Sequence, residues 1–202
     1  MQREARALLR LEGTAGVPAL RQDVHENVQG TLAPGSMRIL VRSWIPGVPL
    51  YATQELPRDF FDHLDRLVET IHAAGVCHND LHKEQNILLG EDGFPHVLDF
   101  QLASVHPHAS SVYRSRCRED LRHVQKHRLR YLRHMASAGE ASLSTSAELH
   151  IRRSWQSRLW KLIVKPLYNV TLRRMLRWSE DEERRPRQGP WPIWTEAIGP
   201  RE

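Results

Sequence analysis

Cysteine is scarce in this sequence, and long apolar runs are missing altogether. Cys77 and Cys117 are the only two cysteines in 202 residues, and no Cys-x-x-Cys occurs. That excludes a disulfide framework and a cysteine-based zinc site, and points to a reduced, cytoplasmic chain. No stretch approaches the roughly 20 apolar residues of a membrane-spanning helix. Met1 to Leu11 is charged and lacks the apolar centre of a signal peptide. Histidine is plentiful at 12 residues, yet none shows the paired helical spacing with a carboxylate that a zinc enzyme needs. His123 and His127 are four apart but sit in an arginine-rich segment, and His63 and His72 are nine apart on one expected helix, so both of these read as surface residues. Lysine first appears at Lys83.

What is present fits one globular domain with appendages: 40% of the residues are hydrophobic and 26% charged. The net charge of +5 is unevenly divided. Residues 1–109 carry 9 Lys and Arg against 14 Asp and Glu, whereas residues 110–202 carry 20 against 10. An acidic half joined to a basic half suggests that the basic half meets an anionic surface such as lipid, lipopolysaccharide or nucleic acid; a solvated basic surface is the alternative.

Residues 2–11 read as a helix, with Ala5, Leu8 and Leu9 at helical spacing and Gly13 as the stop. Residues 17–22 and 37–45 read as short strands, the second ending at Pro46-Gly47. Phe60, Phe61, Leu64, Leu67, Val68 and Ile71 recur at three and four, predicting a helix over 57–74 with Pro57 in its first turn and Gly75 at its end. Residues 104–116, rich in Ser and His, read as loop, followed by a helix from Glu119 through Arg133.

The stretch from residue 78 to 103 carries the chemistry. His78-Asn79-Asp80 is followed by Lys83, Glu84 and Asn86, the apolar run Ile87-Leu88-Leu89, the turn Gly90-Glu91-Asp92-Gly93, a second apolar run and Asp99-Phe100-Gln101-Leu102-Ala103. An exposed carboxylate at a loop tip accepts a proton from a hydroxyl, and an amide and a second carboxylate on either side of a hairpin suit Mg²⁺ on ATP phosphates. Asp99, a carboxylate after a buried strand, needs a cation or donors.

These motifs resemble the protein-kinase catalytic loop and Asp-Phe-Gly segment. They are more closely similar to atypical bacterial kinases of the RIO and lipopolysaccharide-kinase groups. The resemblance covers roughly residues 1–133 and is strong from 76 to 103. It implies an α+β, protein-kinase-like fold with a truncated small lobe (1–47, hinge included) and an α-rich large lobe (48–135). It also implies ATP and Mg²⁺ as cofactors and transfer of a phosphoryl group to a hydroxyl on a protein or on a lipid-linked or saccharide acceptor. Asp80 takes the role of orienting or deprotonating that hydroxyl, Lys83 that of neutralising the transferring charge, and Asn86 and Asp99 those of metal ligands. Backbone groups of Ser43, Trp44 and Ile45 become the hinge that meets the adenine edge, and Glu4 becomes the helix carboxylate that pairs with a phosphate-positioning Lys. His78 is expected to be structural, its ring bonded to backbone near Asp99.

Three departures stand out. Asn79 occupies the place of an Arg that would await a phosphorylated loop. Gln101 follows Asp-Phe in place of Gly. Asn86 lies six residues after Asp80 rather than five, so strict register names Gln85; Asn86 is preferred because the apolar strand follows it directly. No glycine-rich loop and no Lys precede the first helix. That implies either a start upstream of Met1 or a catalytically incomplete, scaffold-like relative.

Beyond a linker of small residues, mostly Ala and Ser, at 136–149, residues 150–178 hold eight Arg and Lys and no acid. Trp155, Leu159, Leu162 and Ile163 form an apolar face, the pattern of a helix lying on an anionic membrane. Helices packed on the large lobe are the alternative, and nucleic-acid binding lacks a recognised module. Residues 179–202 read as an extended tail.

Overall fold

A computed structural model describes residues 2–21, 40–136 and 190–199. The linker at 137–149, the basic stretch 150–178 and most of the tail lie outside the described residues. Within them the fold is α+β: three α-helices and three small sheets surround one apolar core. No helix among the described residues is long and apolar enough to cross a membrane.

Helix α1 (Gln2–Arg10) buries Ala7 and Leu8, with Leu11 just beyond, and its chain turns at Gly13, where φ is +76°. Strand β1 (Gly47–Pro49) follows, then a 3₁₀ turn at Leu50–Ala52 and strand β2 (Glu55–Pro57). Helix α2 (Phe60–Ala73) buries the six apolar residues that the periodicity marked. Each large side chain so buried contributes about 1.5–3 kcal/mol. The helix begins three residues later than expected because Pro57 belongs to β2, opposite Thr195.

The chain reverses at Gly75, with φ +79°. There the His106 N–H donates to the Gly75 carbonyl at 2.7 Å. A β-carbon on Gly75 would lie 2.6 Å from the His106 carbonyl oxygen. Left-handed backbone and close approach both demand glycine here. Gly75→Ala is therefore expected to lower stability by more than about 1 kcal/mol, checked by urea unfolding.

Strand β3 (Val76–Cys77) leads into the central loop, which returns through a 3₁₀ turn at Glu84–Asn86 to strand β4 (Ile87–Gly90). A tight turn at Gly90–Gly93 joins β4 to β5 (Pro95–Val97), with Ile87 opposite Val97 and Leu89 opposite Pro95. Strand β1 completes this antiparallel sheet in the order β1-β4-β5. After a 3₁₀ turn at Phe100–Leu102, strand β6 (Ser104–Val105) pairs antiparallel with β3. Helix α3 (Ser111–Ala136) packs against α2, and Arg128 joins them through Asp62 and Asp65 at 2.8 and 2.7 Å.

Four sequence expectations change. The stretch 104–116 is not loop throughout: α3 starts at Ser111, because Ser110 Oγ accepts the Tyr113 N–H at 3.1 Å and so caps the helix. His63 and His72 are buried rather than exposed, each facing a carboxylate, Asp59 at 3.1 Å and Asp120 at 3.2 Å. The segments 17–22 and 37–45 are described only at 17–21 and 40–45, where they meet at a single bridge, Leu20 to Arg42. Finally, residues 190–199 return to the domain: strand β7 (Ile193–Thr195) pairs parallel with β2.

Candidate functional site

The central loop is held from below by Asp120 on α3. This carboxylate is 1% exposed and accepts the backbone N–H groups of His78 at 2.8 Å and Asn79 at 2.9 Å. Its Oδ2 also faces His72 Nε2. His78 is buried, its Nε2 bonded to the Leu98 carbonyl at 2.8 Å and its ring edge-on to Phe100, as the sequence led one to expect. Burial pushes its pKa down, so the ring is neutral and structural.

Asp80 departs from the exposed loop-tip carboxylate foreseen in the sequence: it is only 2% exposed. His82 Nδ1 lies 3.0 Å from its Oδ1 and Lys83 Nζ 3.2 Å from its Oδ2. Burial acts to raise the Asp80 pKa, but His82 and Lys83 more than offset it, and the carboxyl is held below its usual range. Asn86 is buried too, and its Nδ2 donates to the Asp80 carbonyl at 3.1 Å and to Oδ2 at 3.2 Å. Asn86 thus stands beside Asp80 with its Nδ2 turned to it, and its Oδ1 is the acceptor end of the amide.

The two arms of the hairpin meet where the Leu98 N–H donates to the Asn86 carbonyl at 2.9 Å. Asp99 follows with φ +63°, a left-handed conformation that is costly for a non-glycine residue. Its Oδ1 takes one long contact, 3.4 Å, from the Gln101 N–H. Glu4 on α1 is close enough for its charge to be felt with that of Asp99. Glu4 is buried, and desolvation raises its pKa despite the opposing Arg42 charge. Its partner is Arg42 at 3.6 Å rather than a lysine.

The hinge residues are arranged less simply. The Ser43 N–H donates to the Ala19 carbonyl at 2.8 Å, and Ser43 Oγ accepts the Ala19 N–H at 2.8 Å. That amide is therefore occupied within the chain, and of the Ser43 backbone groups the carbonyl is left. Trp44 is 86% exposed and Ile45 half-buried.

Sequence reasoning gave no role to Asp120, Arg42, or the cluster around Glu84. Glu84 Oε1 accepts from Arg130 at 2.8 Å and Oε2 from the Tyr131 hydroxyl at 2.9 Å, with His127 Nδ1 at 3.6 Å. A signal existed for α3: Asp120, Val124, His127 and Tyr131 fall at four, three and four and are all buried. Two polar residues on an apolar stripe mark groups that must find partners inside.

No protein-family model matches the chain. It is 35% identical over 114 residues to CBL-interacting protein kinase 16 of Oryza sativa subsp. japonica, covering 48% of the chain and 25% of that protein. It is 40% identical over 52 residues to CBL-interacting serine/threonine-protein kinase 15 of Arabidopsis thaliana, covering 26% of the chain and 12% of that protein. The chain thus spans at most a quarter of the length of these relatives. The likeness is partial, and it connects the chain with protein kinases rather than with the RIO or lipopolysaccharide-kinase groups in particular.

Proposed function

We propose that the chain is a kinase-like phosphotransferase domain that binds Mg²⁺ and ATP beside the Asp80 loop. The convergence of Asp80, Lys83 and Asn86 within hydrogen-bond and ion-pair reach, with Asp99 on the adjoining turn, carries this reading. Partial identity to two protein kinases supports it. The fold reading that goes with it is a kinase-like large lobe built on α2, α3 and the β4–β5 hairpin, under a small lobe of which α1 and residues 14–21 and 40–47 are described.

The residues suit magnesium. Among the described residues no group of three or more His, Cys, Asp and Glu could hold a metal alone. Mg²⁺ commonly takes only one or two carboxylates, with phosphates and water completing its shell. Asn86 Oδ1 and the thinly bonded Asp99 carboxylate would hold it. When bound, the ion supplies charge neutralisation on the phosphate oxygens.

The chain's own groups do the rest. Asp80, ionised and acceptor-only, orients the acceptor hydroxyl and takes its proton at a carboxylate oxygen. Lys83 lies against that carboxylate, and its ammonium neutralises charge developing on the phosphoryl oxygens. Backbone groups of Trp44 and Ile45 remain for the adenine edge, Ser43 contributing its carbonyl. The acceptor is a hydroxyl on a protein or on a lipid-linked or saccharide molecule. The atypical bacterial kinases remain the proposed relatives for the His-Asn-Asp and Asp-Phe-Gln variants.

A second reading, a nucleotide-binding scaffold without transfer activity, is favoured by the Glu4–Arg42 pair: the carboxylate that a phosphate-positioning Lys would use already has a partner. Thermal unfolding with ATP, with and without Mg²⁺, tests the shared part of both readings. ATP at 100 times its dissociation constant is expected to add about 2.7 kcal/mol. In Asp99→Ala the Mg²⁺-dependent part is expected to vanish. No shift at millimolar Mg²⁺ and ATP in the wild type would refute both.

A further inference from the structure

We propose that Asn79 is a positioning residue that latches the Asp99 segment to the Asp80 loop, an inference that rests on the nucleotide-site reading above. Two independent features of the structure fix this residue's identity. The first is backbone: Asn79 has φ +66°, and its N–H is consumed by Asp120. Only glycine, asparagine and aspartate occupy that region at low cost. The second is the side chain. Asn79 Nδ2 donates to the Leu102 carbonyl at 2.8 Å, to Ser104 Oγ at 3.1 Å and back to the Cys77 carbonyl at 3.2 Å. Of the three residues the backbone tolerates, only asparagine brings donors to these acceptors.

The contacts join two stretches that must be aligned for the site to work. Cys77 ends the strand entering the Asp80 loop, and Leu102 and Ser104 lie on the segment leaving Asp99. The backbone ladder between them is short, with Val76 opposite Val105 and Cys77 opposite Ser104. A ladder of two residue pairs specifies register weakly, so a side chain spanning it adds a large share of the restraint. Ser104 Oγ also accepts from Arg116 Nη1 at 3.0 Å, which ties the same point to α3, and lies 2.8 Å from His106 Nε2 on its own segment. Every bond the Asn79 side chain makes is to a neutral acceptor. The Asp99 segment is therefore docked on the Asp80 loop by the unmodified chain, and no added phosphate is needed to draw the two together.

Two variants of the full chain test this. Asn79→Gly keeps the left-handed backbone and removes the donors; Asn79→Asp keeps shape and backbone but sets an acceptor against acceptors. Two readouts apply. Hydrogen exchange of peptides over 99–106, without nucleotide, reports the latch alone, and about tenfold faster exchange is expected in both variants, with peptides over 87–97 unchanged. Isothermal titration with ATP reports its use: the Mg²⁺ concentration for half-maximal binding is expected to rise roughly tenfold, while the affinity for ATP in EDTA stays as in the wild type. Faster exchange in a protein that binds no nucleotide would support the latch and refute the nucleotide reading. Wild-type exchange over 99–106 in Asn79→Gly would overturn the proposal, because glycine would then have met the whole requirement. Faster exchange with an unaltered Mg²⁺ requirement would also overturn it, showing the tie to be structural only.

Discussion

Asp80→Asn is expected to lower turnover by roughly 10²–10⁴-fold, the usual contribution of a positioned general base, and to leave Mg²⁺-dependent ATP binding close to wild type. The substitution keeps the shape of the side chain. An asparagine Oδ1 can still accept from Asn86 Nδ2, which now lies 3.2 Å from the carboxylate. What is lost is the basic lone pair and the charge that faces His82 and Lys83. Stability should change little, because removal of the ion pairs is offset by removal of the cost of burying a charge in a site only 2% exposed. Phosphate release from ATP, with water in place of the unknown acceptor, measures turnover; titration calorimetry measures binding. Wild-type turnover in Asp80→Asn would take the proton-accepting role away from this residue. Loss of binding with turnover would instead move Asp80 to the nucleotide's metal.

Glu84→Ala is expected to be the most damaging single change for folding, at about 3 kcal/mol or a fall in Tm on the order of 10 °C. It removes the carboxylate that Arg130, the Tyr131 hydroxyl and His127 share and leaves a cavity beside the wholly buried Tyr131. The Tyr131 hydroxyl keeps its bond to the Leu50 carbonyl, and the partly exposed Arg130 can reach water, so the lower end of the usual range applies. The same cluster has a pH signature. Burial acts to raise the Glu84 pKa, but His127, Tyr131 and Arg130 more than offset this and hold it below the ordinary 4.5. A carboxylate depressed in the folded state stabilises fully above its unfolded pKa, and that contribution is lost as pH falls through the folded value. Wild-type stability should therefore drop on acidification below about pH 4.5, and Glu84→Gln should flatten that limb. Equal pH slopes in the two proteins would assign the acid sensitivity to other carboxylates.

The parts of the molecule legible in the sequence are those where the local rule and the tertiary role agree. The apolar repeat of α2, the left-handed stops at Gly13 and Gly75, and the turn between β4 and β5 all express preferences confined to a few residues. The order of motifs from His78 to Asp99 also predicted that Asp80, Lys83 and Asn86 gather within one loop, because only six residues separate them. What stayed hidden depends on distant partners. Histidines 63 and 72 read as polar surface until Asp59 and Asp120 are seen facing them. Arg42 could not be matched to Glu4, since an ion pair 38 residues apart in sequence leaves no periodicity. Pro57 resembled a helix start because its partner strand lies beyond residue 190. Ser110 was read as loop composition when its hydroxyl is the cap that begins α3.

That distant strand bears on how the protein is made. Asp59, at the head of α2, accepts the amides of Ile198 and Gly199, 139 and 140 residues further along. Trp194 packs on the core beside Leu56, and Trp191 stands edge-on to Tyr131 and stacks on His134. A ribosome adding 5–20 residues per second needs roughly 7–28 s to travel from Asp59 to those amides. Once α2 is complete, it and β2 keep one flank uncovered for the rest of that interval, with His63 facing the Asp59 carboxylate. This flank closes only after residue 199 has been made, and a chaperone binding aromatic and aliphatic surface has that window in which to act.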